Sequence, residues 1–175
     1  MPTEIREAQL ADASRLQEIY AHYVLHGLAS FEVTPPDTAE MTARMKRIRG
    51  RGHPYLVAET NGVVSGYAYA STFRQRPAYD QTLENSVYVS PDHLGQGIGG
   101  QLLSQLINVC ESLGIRQLIA VIGDSENYAS INLHAKCGFE KAGLLASTGY
   151  KHGCWVDSVL MQRAVGEGDG SPPAD

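Results

Sequence analysis

The stretch DHLGQGIGGQLL, from Asp92 to Leu103, places four glycines within six residues and then continues with apolar residues at helical spacing. The first N–H groups of a helix have no partner inside the helix, and the helix dipole gives that end a partial positive charge. Glycines remove the side chains that would keep an anion away from those groups. The alternative is a tight strand-to-helix turn, for which one or two glycines suffice. We therefore expect this loop to bind phosphate.

Features that the loop lacks narrow the class of phosphate ligand. A Walker loop ends in Gly-Lys followed by Ser or Thr, whereas Gly100 is followed by Gln101, which argues against an NTPase. Gly95, Gly97 and Gly100 match the dinucleotide pattern GxGxxG. However, the loop follows the fourth predicted strand rather than the first, and Asp124 lies somewhat beyond the acidic position expected about 20 residues on. A nicotinamide-dependent oxidoreductase is therefore a distant alternative.

Length and composition indicate one globular domain. The chain has 175 residues, of which 43% are apolar and 19% charged, and this is enough for a single core. Its net charge of −5 argues against nucleic acid as the main partner. The one basic cluster, ARMKRIRGRG at residues 43–52, is interpreted as a solvated helix end. No nucleic-acid partner is expected.

Cysteines and apolar runs bear on the compartment. Three cysteines without CxxC spacing predict neither a disulfide framework nor a zinc site. No apolar run approaches the roughly 20 residues that cross a bilayer. The N-terminus MPTEIREAQL lacks the basic and apolar regions of a signal peptide. We expect a protein of the reducing cytoplasm with no membrane partner.

Hydrophobic patterning predicts the element order β-α-α-β-β-β-α-β-α-β-β, an α/β fold in which helices cover a mixed sheet. Asp12 and Asp37 are predicted to cap the first two helices, the glycine loop opens the third, and a short fourth helix spans Ser130 to Lys136. Asn61-Gly62 predicts a type I′ hairpin turn. The predicted strands are TEIREAQ, YLVAE, VVSGYAYAST, TLENSVYVS, IRQLIAVIG, FEKAGLLAS and WVDSVLMQR.

The domain boundary is predicted near the C-terminus. Residues 1–165 are expected to form a single domain. The last ten residues, 166–175, read GEGDGSPPAD. This segment holds too few apolar residues to offset the entropy of ordering, so it is predicted to be a disordered tail.

Several segments resemble one enzyme superfamily. NSVYVSPDHLGQGIGGQLL resembles the acetyl-CoA signature of the GCN5-related N-acetyltransferases (GNAT), whose strand order is also the predicted one. TLENSVYVS, AVIGDSEN, LHAKCGFE and GYKHGCWVD resemble its phosphinothricin and methionine sulfoximine/sulfone acetyltransferase branch. The resemblance extends to about Arg163. It implies the GNAT acyltransferase fold, a mostly antiparallel central sheet flanked by helices, and a homodimer, since the branch is commonly dimeric.

The resemblance also implies acetyl-CoA as co-substrate and no metal. In the superfamily the loop amides hold the coenzyme's pyrophosphate, and the preceding strand pairs with its pantetheine arm. The pyrophosphate-binding positions are occupied here by Gly95, Gln96, Gly97, Ile98, Gly99 and Gly100. Val87, Tyr88 and Val89 take the strand positions, and the Val89 amide is expected to face the thioester carbonyl. Asn127 is a further expected contact, with a helix N-cap as its alternative role. Leu94 replaces the superfamily's Gln or Arg, so no side-chain phosphate contact is expected there.

Acetyl transfer to an amine requires a base for the ammonium and donors for the developing oxyanion. Strand alternation in TLENSVYVS places Glu84 on one face with Ser86 and Tyr88. An acid in an interior strand is unusual unless it is paired or lies at a cleft. A solvated or ion-paired residue is the alternative. The resemblance identifies Glu84 as the catalytic base.

The departing thiolate of the coenzyme requires a proton. His134 stands near the position where many of these transferases carry a tyrosine as general acid, and it is the second predicted catalytic residue. Its alternative role is that of a structural hydrogen-bonding side chain. Tyr128 is another candidate donor, but six residues earlier on the chain it is expected to face elsewhere.

Two segments of the branch that bind the acceptor have matches here. The matching residues are Phe73, Arg74 and Gln75, then Leu83, Glu84 and Asn85. Arginine forks suit the carboxylate and the tetrahedral head of such an acceptor, which adds Arg76. Phe31, in ASFEVTPP, matches a lid-like loop, for which a hydrophobic plug between two helices is the alternative. Phe73 stands where the branch often has tryptophan.

Taken together, these residues predict an N-acetyltransferase that moves the acetyl group of acetyl-CoA to a small-molecule amine by direct attack. The expected acceptor is the α-amine of phosphinothricin, methionine sulfoximine or methionine sulfone, with herbicide or antibiotic resistance as the implied role. One alternative is an acetyltransferase for another amine or a protein N-terminus. Polyamines would favour an acidic pocket, whereas Arg74 and Arg76 favour an acidic ligand. The other alternative is a non-catalytic CoA-binding sensor.

Overall fold

The computed structural model describes residues 2–174, which build one seven-stranded sheet with helices on both faces. Strands and helices follow one another in the predicted order. The helices are α1 Ala13–His26, α2 Thr38–Gly50, α3 Ile98–Ser112 and α4 Tyr128–Lys136. The strands are β1 Thr3–Glu7, β2 Tyr55–Thr60, β3 Val63–Thr72, β4 Thr82–Val89, β5 Gln117–Gly123, β6 Glu140–Lys151 and β7 Cys154–Ala164.

The strands of the sheet lie in the order β1-β2-β3-β4-β5-β7-β6. Neighbouring strands are antiparallel except β4 and β5, the one parallel pair in the part of the chain described. This pairing runs only from Thr82 opposite Gln117 to Asn85 opposite Ala120. Both strands continue beyond it, so a cleft opens between them. The predicted mixed, mostly antiparallel sheet is confirmed.

Two hydrophobic cores lie on opposite faces of the sheet. On one face, α3 buries the predicted apolar stripe, which consists of Leu102, Leu103, Leu106, Ile107 and Cys110. Leu113, also predicted for this stripe, is half-exposed because it is the C-cap residue, where the helix ends. On the other face, α1 and α2 cover a cluster of tyrosines, namely Tyr20, Tyr55, Tyr67, Tyr69 and Tyr88.

Short polar segments start and connect these elements. Asp37 caps α2 as predicted, since its carboxylate accepts a hydrogen bond of 2.8 Å from the N–H of the third helical residue. The prediction that Asp12 caps α1 with its side chain is wrong. Its carboxylate instead binds the Arg6 guanidinium of β1 through two hydrogen bonds of 2.9 Å, and this charged partner is the stronger one. Asn61 and Gly62 have φ of 52° and 78°, as the predicted type I′ turn requires.

Beyond β7 the chain turns back onto the domain. Arg116 donates hydrogen bonds to the carbonyl oxygens of Gly168 and Pro172, each 3.0 Å long. The predicted mobility of residues 166–175 and the predicted domain boundary stay predictions, and Asp175 lies outside the described residues. Within residues 2–174, the helices are all too short or too polar to span a bilayer.

Candidate active site

The four glycines of the loop before α3 serve two different purposes. Gly95 and Gly97 adopt φ of 75° and 77°, a left-handed conformation that favours glycine, and nothing lies within 4 Å of an added Cβ at either. Gly99 has ordinary backbone, but a Cβ there would come within 3.2 Å of Leu133 on α4. The first pair therefore shapes the loop, while Gly99 lets α3 and α4 pack closely.

The loop presents a row of unpaired donors. None of the six N–H groups from Gly95 to Gly100 donates a hydrogen bond to another residue in the described range 2–174. Gly97 is the N-cap of the 15-residue helix α3, so these donors lie at the positive end of its dipole. Adjacent unpaired N–H groups at a helix N-terminus form an anion site suited to phosphate.

A cavity of about 50 Å³ lies where β4 and β5 separate. It is lined by Ala29, Asn85, Ser86, Val87, Tyr88, Ala120, Val121, Ile122, Gly123, Asn127, Ser130 and His134. Backbone from both strands and the start of α4 therefore faces one space. Since β4 leads through Ser90 and a short turn at Pro91–His93 into the glycine loop, the cleft and the anion site lie along one continuous segment.

The backbone of β4 directs hydrogen-bonding groups into this cleft. The Ser90 N–H donates to the Ser65 carbonyl oxygen beside β3, with a length of 2.8 Å. Successive backbone groups of a strand point to alternate sides, so the N–H groups of Val87 and Val89 face away from β3, toward the cleft. The carbonyl of Val89 is already engaged, because it accepts a hydrogen bond from the Tyr23 hydroxyl. The Val89 N–H is therefore available to a ligand.

Glu84 lies on β4 one residue before the point where the strands separate. It is opposite Ser71 of β3, on the face covered by α1 and α2. Its carboxylate is partly buried and has no hydrogen bond or ion pair with any residue that the structure describes. Burial raises the pKa of Glu84 above that of an ordinary glutamate, because desolvation disfavours the charged form. A carboxylate in this state suits proton transfer near neutral pH.

His134 of α4 is 4% exposed and has a partner at each ring nitrogen. Nδ1 donates to the Ser130 carbonyl oxygen at 2.8 Å, and Nε2 lies 2.8 Å from the amide nitrogen of Asn85. Burial lowers the pKa of His134, so the ring is neutral at pH 7. The geometry matches a structural hydrogen-bonding role, and the role of His134 in catalysis stays a prediction.

The other two candidates on α4 are separated by exposure. Asn127 is the N-cap of α4, since its side chain accepts from the Ser130 N–H at 3.2 Å, and it also lines the cleft. Both roles predicted for Asn127 are therefore geometrically compatible. Tyr128 is exposed to solvent and does not line the cleft, as expected from its position.

The predicted acceptor-binding residues do not share one cavity. Arg74, Gln75 and Leu83 line a cavity of about 590 Å³ at the ends of β3 and β4, and the Arg74 guanidinium lies 5.3 Å from the Phe73 ring centroid. Asn85 instead lines the cleft. The same strand alternation explains the split, because neighbouring residues of β4 point to opposite faces. Arg76 is exposed and lines none of these cavities.

Phe31 lies in the loop between α1 and α2 and covers one end of the cleft. A Cβ on Gly149 of β6 would come within 2.5 Å of the Phe31 ring, and one on Gly123 of β5 within 3.1 Å. The loop is held by the Lys151 ammonium, which donates to the Ser30 carbonyl oxygen at 2.7 Å. Two glycines thus provide the flat surface on which the Phe31 ring rests.

A further cavity, of about 160 Å³, was not anticipated from the sequence. Its lining includes Tyr20, Arg44, Tyr69 and Ser71, on the same face of the sheet as Glu84. The period-two pattern of Tyr67, Tyr69 and Ser71 in β3 was the available signal.

Arg44 departs from the interpretation of residues 43–52 as a solvated helix end. Lys46, Arg47, Arg49 and Arg51 are exposed as expected. Arg44 is partly buried and binds Glu32 through two hydrogen bonds of 2.8 Å. Because Glu32 lies in the loop that carries Phe31, this pair ties α2 to that loop.

Comparison with known proteins places these features in context. The acetyltransferase (GNAT) family model matches residues 16–139. Over 169 residues the chain is 52% identical to the phosphinothricin N-acetyltransferase of Alcaligenes faecalis, covering 97% of this chain and 86% of that protein. It is 40% identical to the L-methionine sulfoximine/L-methionine sulfone acetyltransferase of Salmonella typhimurium, covering 93% and 95%. A crystal structure of a GNAT superfamily phosphinothricin acetyltransferase from Sinorhizobium meliloti, in complex with AcCoA, superposes with a TM-score of 0.97 at 48% identity, covering 100% of this chain and 95% of that one.

Proposed function

The chain belongs to the acetyltransferase (GNAT) family, and we propose that it transfers the acetyl group of acetyl-CoA to the α-amine of a small amino acid analogue. The row of unpaired N–H groups from Gly95 to Gly100, placed beside the cleft that opens after Asn85, is the observation that carries this proposal. The names of the relatives from Alcaligenes faecalis and Salmonella typhimurium support phosphinothricin, methionine sulfoximine or methionine sulfone as the acceptor.

The described residues fit the coenzyme in this orientation. The N–H groups from Gly95 to Gly100 bind the diphosphate, and the exposed Leu94 adds no polar side-chain contact. The backbone of Val87, Tyr88 and Val89 holds the pantetheine arm between the strands, with Asn127 at its edge. Acetyl-CoA supplies the activated acetyl group as a thioester. No step requires a metal ion.

Three groups of this chain act on the reacting atoms. Glu84 takes a proton from the acceptor ammonium, directly or through one water, and the resulting amine attacks the thioester carbonyl. The Val89 N–H donates to the oxyanion that develops on that carbonyl. His134 is the candidate proton carrier for the thiolate. Its neutral Nε2 must first accept a proton before it can pass one on.

The acceptor reaches this point from the face of the sheet on which Glu84 lies. Arg74 has no ion pair within residues 2–174, so its guanidinium is available to a carboxylate or to a tetrahedral oxyanion head. Gln75 and Phe73 flank it, Arg76 adds positive charge, and Phe31 covers the cleft. Such a basic surface favours an acidic amino acid analogue over a polyamine.

We also propose that two copies of the chain form a homodimer through the exposed edge of the sheet. β6 is a 12-residue edge strand whose side chains are mostly exposed. Large apolar residues there are Leu144, Leu145, Tyr150 and, on β7, Trp155. Exposed apolar surface of this kind marks an interface. Light scattering coupled to size exclusion tests this: a dimer is expected, and Leu145→Glu should yield monomers. A wild-type monomer at micromolar concentration would contradict it.

Compartment and biological role follow as part of the same proposal. Cys110, Cys137 and Cys154 are all free thiols, in keeping with a reducing compartment, and we place the protein in the cytoplasm. Acetylation of a toxic amino acid analogue would protect the cell that carries this protein.

An acceptor screen tests the reaction and its alternatives. The protein is incubated with acetyl-CoA and a thiol-detecting reagent, together with phosphinothricin, methionine sulfoximine, methionine sulfone, polyamines or peptides. Thiol release with the amino acid analogues is expected. Release only with polyamines or peptides would favour the alternative acceptors, and CoA binding without release for any amine would favour a sensor.

A further inference from the structure

We propose that Asn85 is a coenzyme-binding residue, whose side-chain oxygen accepts a hydrogen bond from an amide N–H of the pantetheine arm. This inference rests on the proposed function and reassigns Asn85, whose resemblance-based role is contact with the acceptor. Asn85 is 5% exposed and lies at the bottom of the cleft, where it is the last residue of β4 to pair with β5.

A chain of hydrogen bonds sets the orientation of the Asn85 amide. The Ser130 carbonyl oxygen can only accept, so the His134 nitrogen that faces it, Nδ1, carries the proton. Because the ring is neutral, His134 Nε2 is then an acceptor. The group of Asn85 that lies 2.8 Å away must donate, and is therefore the NH₂ group. This leaves the Asn85 side-chain oxygen, Oδ1, on the side away from His134.

Asn85 Oδ1 has no hydrogen-bond donor anywhere in residues 2–174, although it is buried. Burying a polar atom without a partner costs stability, so such atoms are uncommon in folded proteins and call for an explanation. Asn85 lines the cavity between β4 and β5, together with the proposed pantetheine-binding residues Val87 and Asn127. A ligand N–H in this cavity is the donor that Oδ1 lacks.

Two ligands could supply an N–H here, the coenzyme arm and the acceptor ammonium. Strand alternation separates them. Asn85 points to the face where α4 lies, as its contact with His134 demonstrates, whereas Glu84 points to the face covered by α1 and α2. The acceptor must approach Glu84, so the N–H that meets Asn85 belongs to the coenzyme. His134 is accordingly a positioning residue that acts through the Asn85 amide.

The test compares two ligands on one variant. Asn85→Leu is close in shape and removes both amide groups. Calorimetry measures the Kd of CoA and of 3′-phospho-ADP, which carries the same diphosphate but no pantetheine arm. We expect Asn85→Leu to weaken CoA about tenfold or more and to change 3′-phospho-ADP less than twofold. The second ligand also reports that the variant is folded. An unchanged Kd for CoA overturns the inference, and a changed acceptor KM with unchanged CoA binding assigns Oδ1 to the acceptor instead.

A second measurement addresses the orientation of the amide. Long-range ¹H–¹⁵N spectra of the wild-type protein report which nitrogen of His134 carries the proton. A proton on Nδ1 is expected, and a proton on Nε2 alone would reverse the Asn85 amide and overturn the inference. If wild-type protein bound no CoA, the proposed function itself would fail. Normal CoA binding with an unaffected Asn85→Leu variant would overturn the inference only.

Discussion

Asn85 of β4 and Ala120 of β5 are the last residues that these two parallel strands pair. Beyond them the strands separate, and the backbone of β4 faces the resulting cleft. Glu84 precedes this point by one residue, and the glycine loop begins shortly after β4 ends. One strand thus positions the base, the oxyanion donor and the coenzyme arm, which is why a change in β4 affects several steps at once.

Gly97→Ala tests the loop as the diphosphate site. Gly97 has φ of 77°, which costs alanine about 1–2 kcal/mol, and the variant should lose roughly 2–8 °C in Tm. The same strain tilts the neighbouring N–H groups, so the Kd of CoA by calorimetry should rise about tenfold or more.

Gly114→Ala is the matched control. Gly114 follows α3, also has φ of 77°, and also has nothing within 4 Å of an added Cβ. It should lose similar stability and bind CoA normally. Equal CoA affinities in the two variants would remove the loop from the coenzyme site.

Glu84→Gln tests the catalytic base. The amide keeps the shape of the side chain and cannot take a proton, so kcat should fall about 10²-fold or more while CoA still binds. Initial rates with saturating acetyl-CoA and acceptor give kcat. Glu4→Gln, an exposed glutamate on β1, should leave kcat unchanged. Full activity in Glu84→Gln would exclude a catalytic role.

The pH dependence of the rate should report the environment of Glu84. Burial raises the pKa of this carboxyl, and only its deprotonated form is a base. The acid limb of kcat/KM should therefore have its midpoint above the pKa of an ordinary glutamate. A midpoint at the ordinary value would contradict the burial argument.

The same shift has a consequence for stability with a defined sign. A carboxyl whose pKa is raised on folding contributes stability below its unfolded pKa and loses that contribution as pH rises through its folded pKa. Glu84→Gln removes the titrating group. The Tm of the wild type relative to this variant should therefore decrease as pH rises through that range, which thermal denaturation at several pH values measures.

Gly149→Ala tests the position of Phe31. The added methyl would lie 2.5 Å from the Phe31 ring and force it off the strand. We expect about a tenfold rise in the KM of the acceptor with an unchanged Kd for CoA. Gly143→Ala on the same strand, with nothing within 4 Å of its Cβ, should change neither. If the two variants behave alike, Phe31 has no part in acceptor binding.

Much of the fold was available from the sequence because its signals are local. The turn at Asn61-Gly62, the cap at Asp37 and the apolar stripe of α3 each depend on residues close together along the chain. The glycine loop was recognisable for the same reason. These signals also sufficed to place Glu84 on an interior strand.

The remaining features depend on contacts between distant segments. Arg6 takes Asp12 away from helix capping, and Glu32 takes Arg44 out of solvent. The pairing of Asn85 with His134 joins residues 49 positions apart, so no local pattern predicts it. Local patterning identifies which residues can do chemistry, whereas the register between strands and helices decides which of them meet.

A crystal structure of the protein with acetyl-CoA tests the central claim most directly. The account predicts that the diphosphate oxygens lie within hydrogen-bonding distance of the N–H groups from Gly95 to Gly100. The acetyl carbonyl should meet the Val89 N–H on the side of the strand that faces Glu84. A coenzyme bound outside the cleft between β4 and β5, or with its acetyl group out of reach of Glu84, would contradict the account.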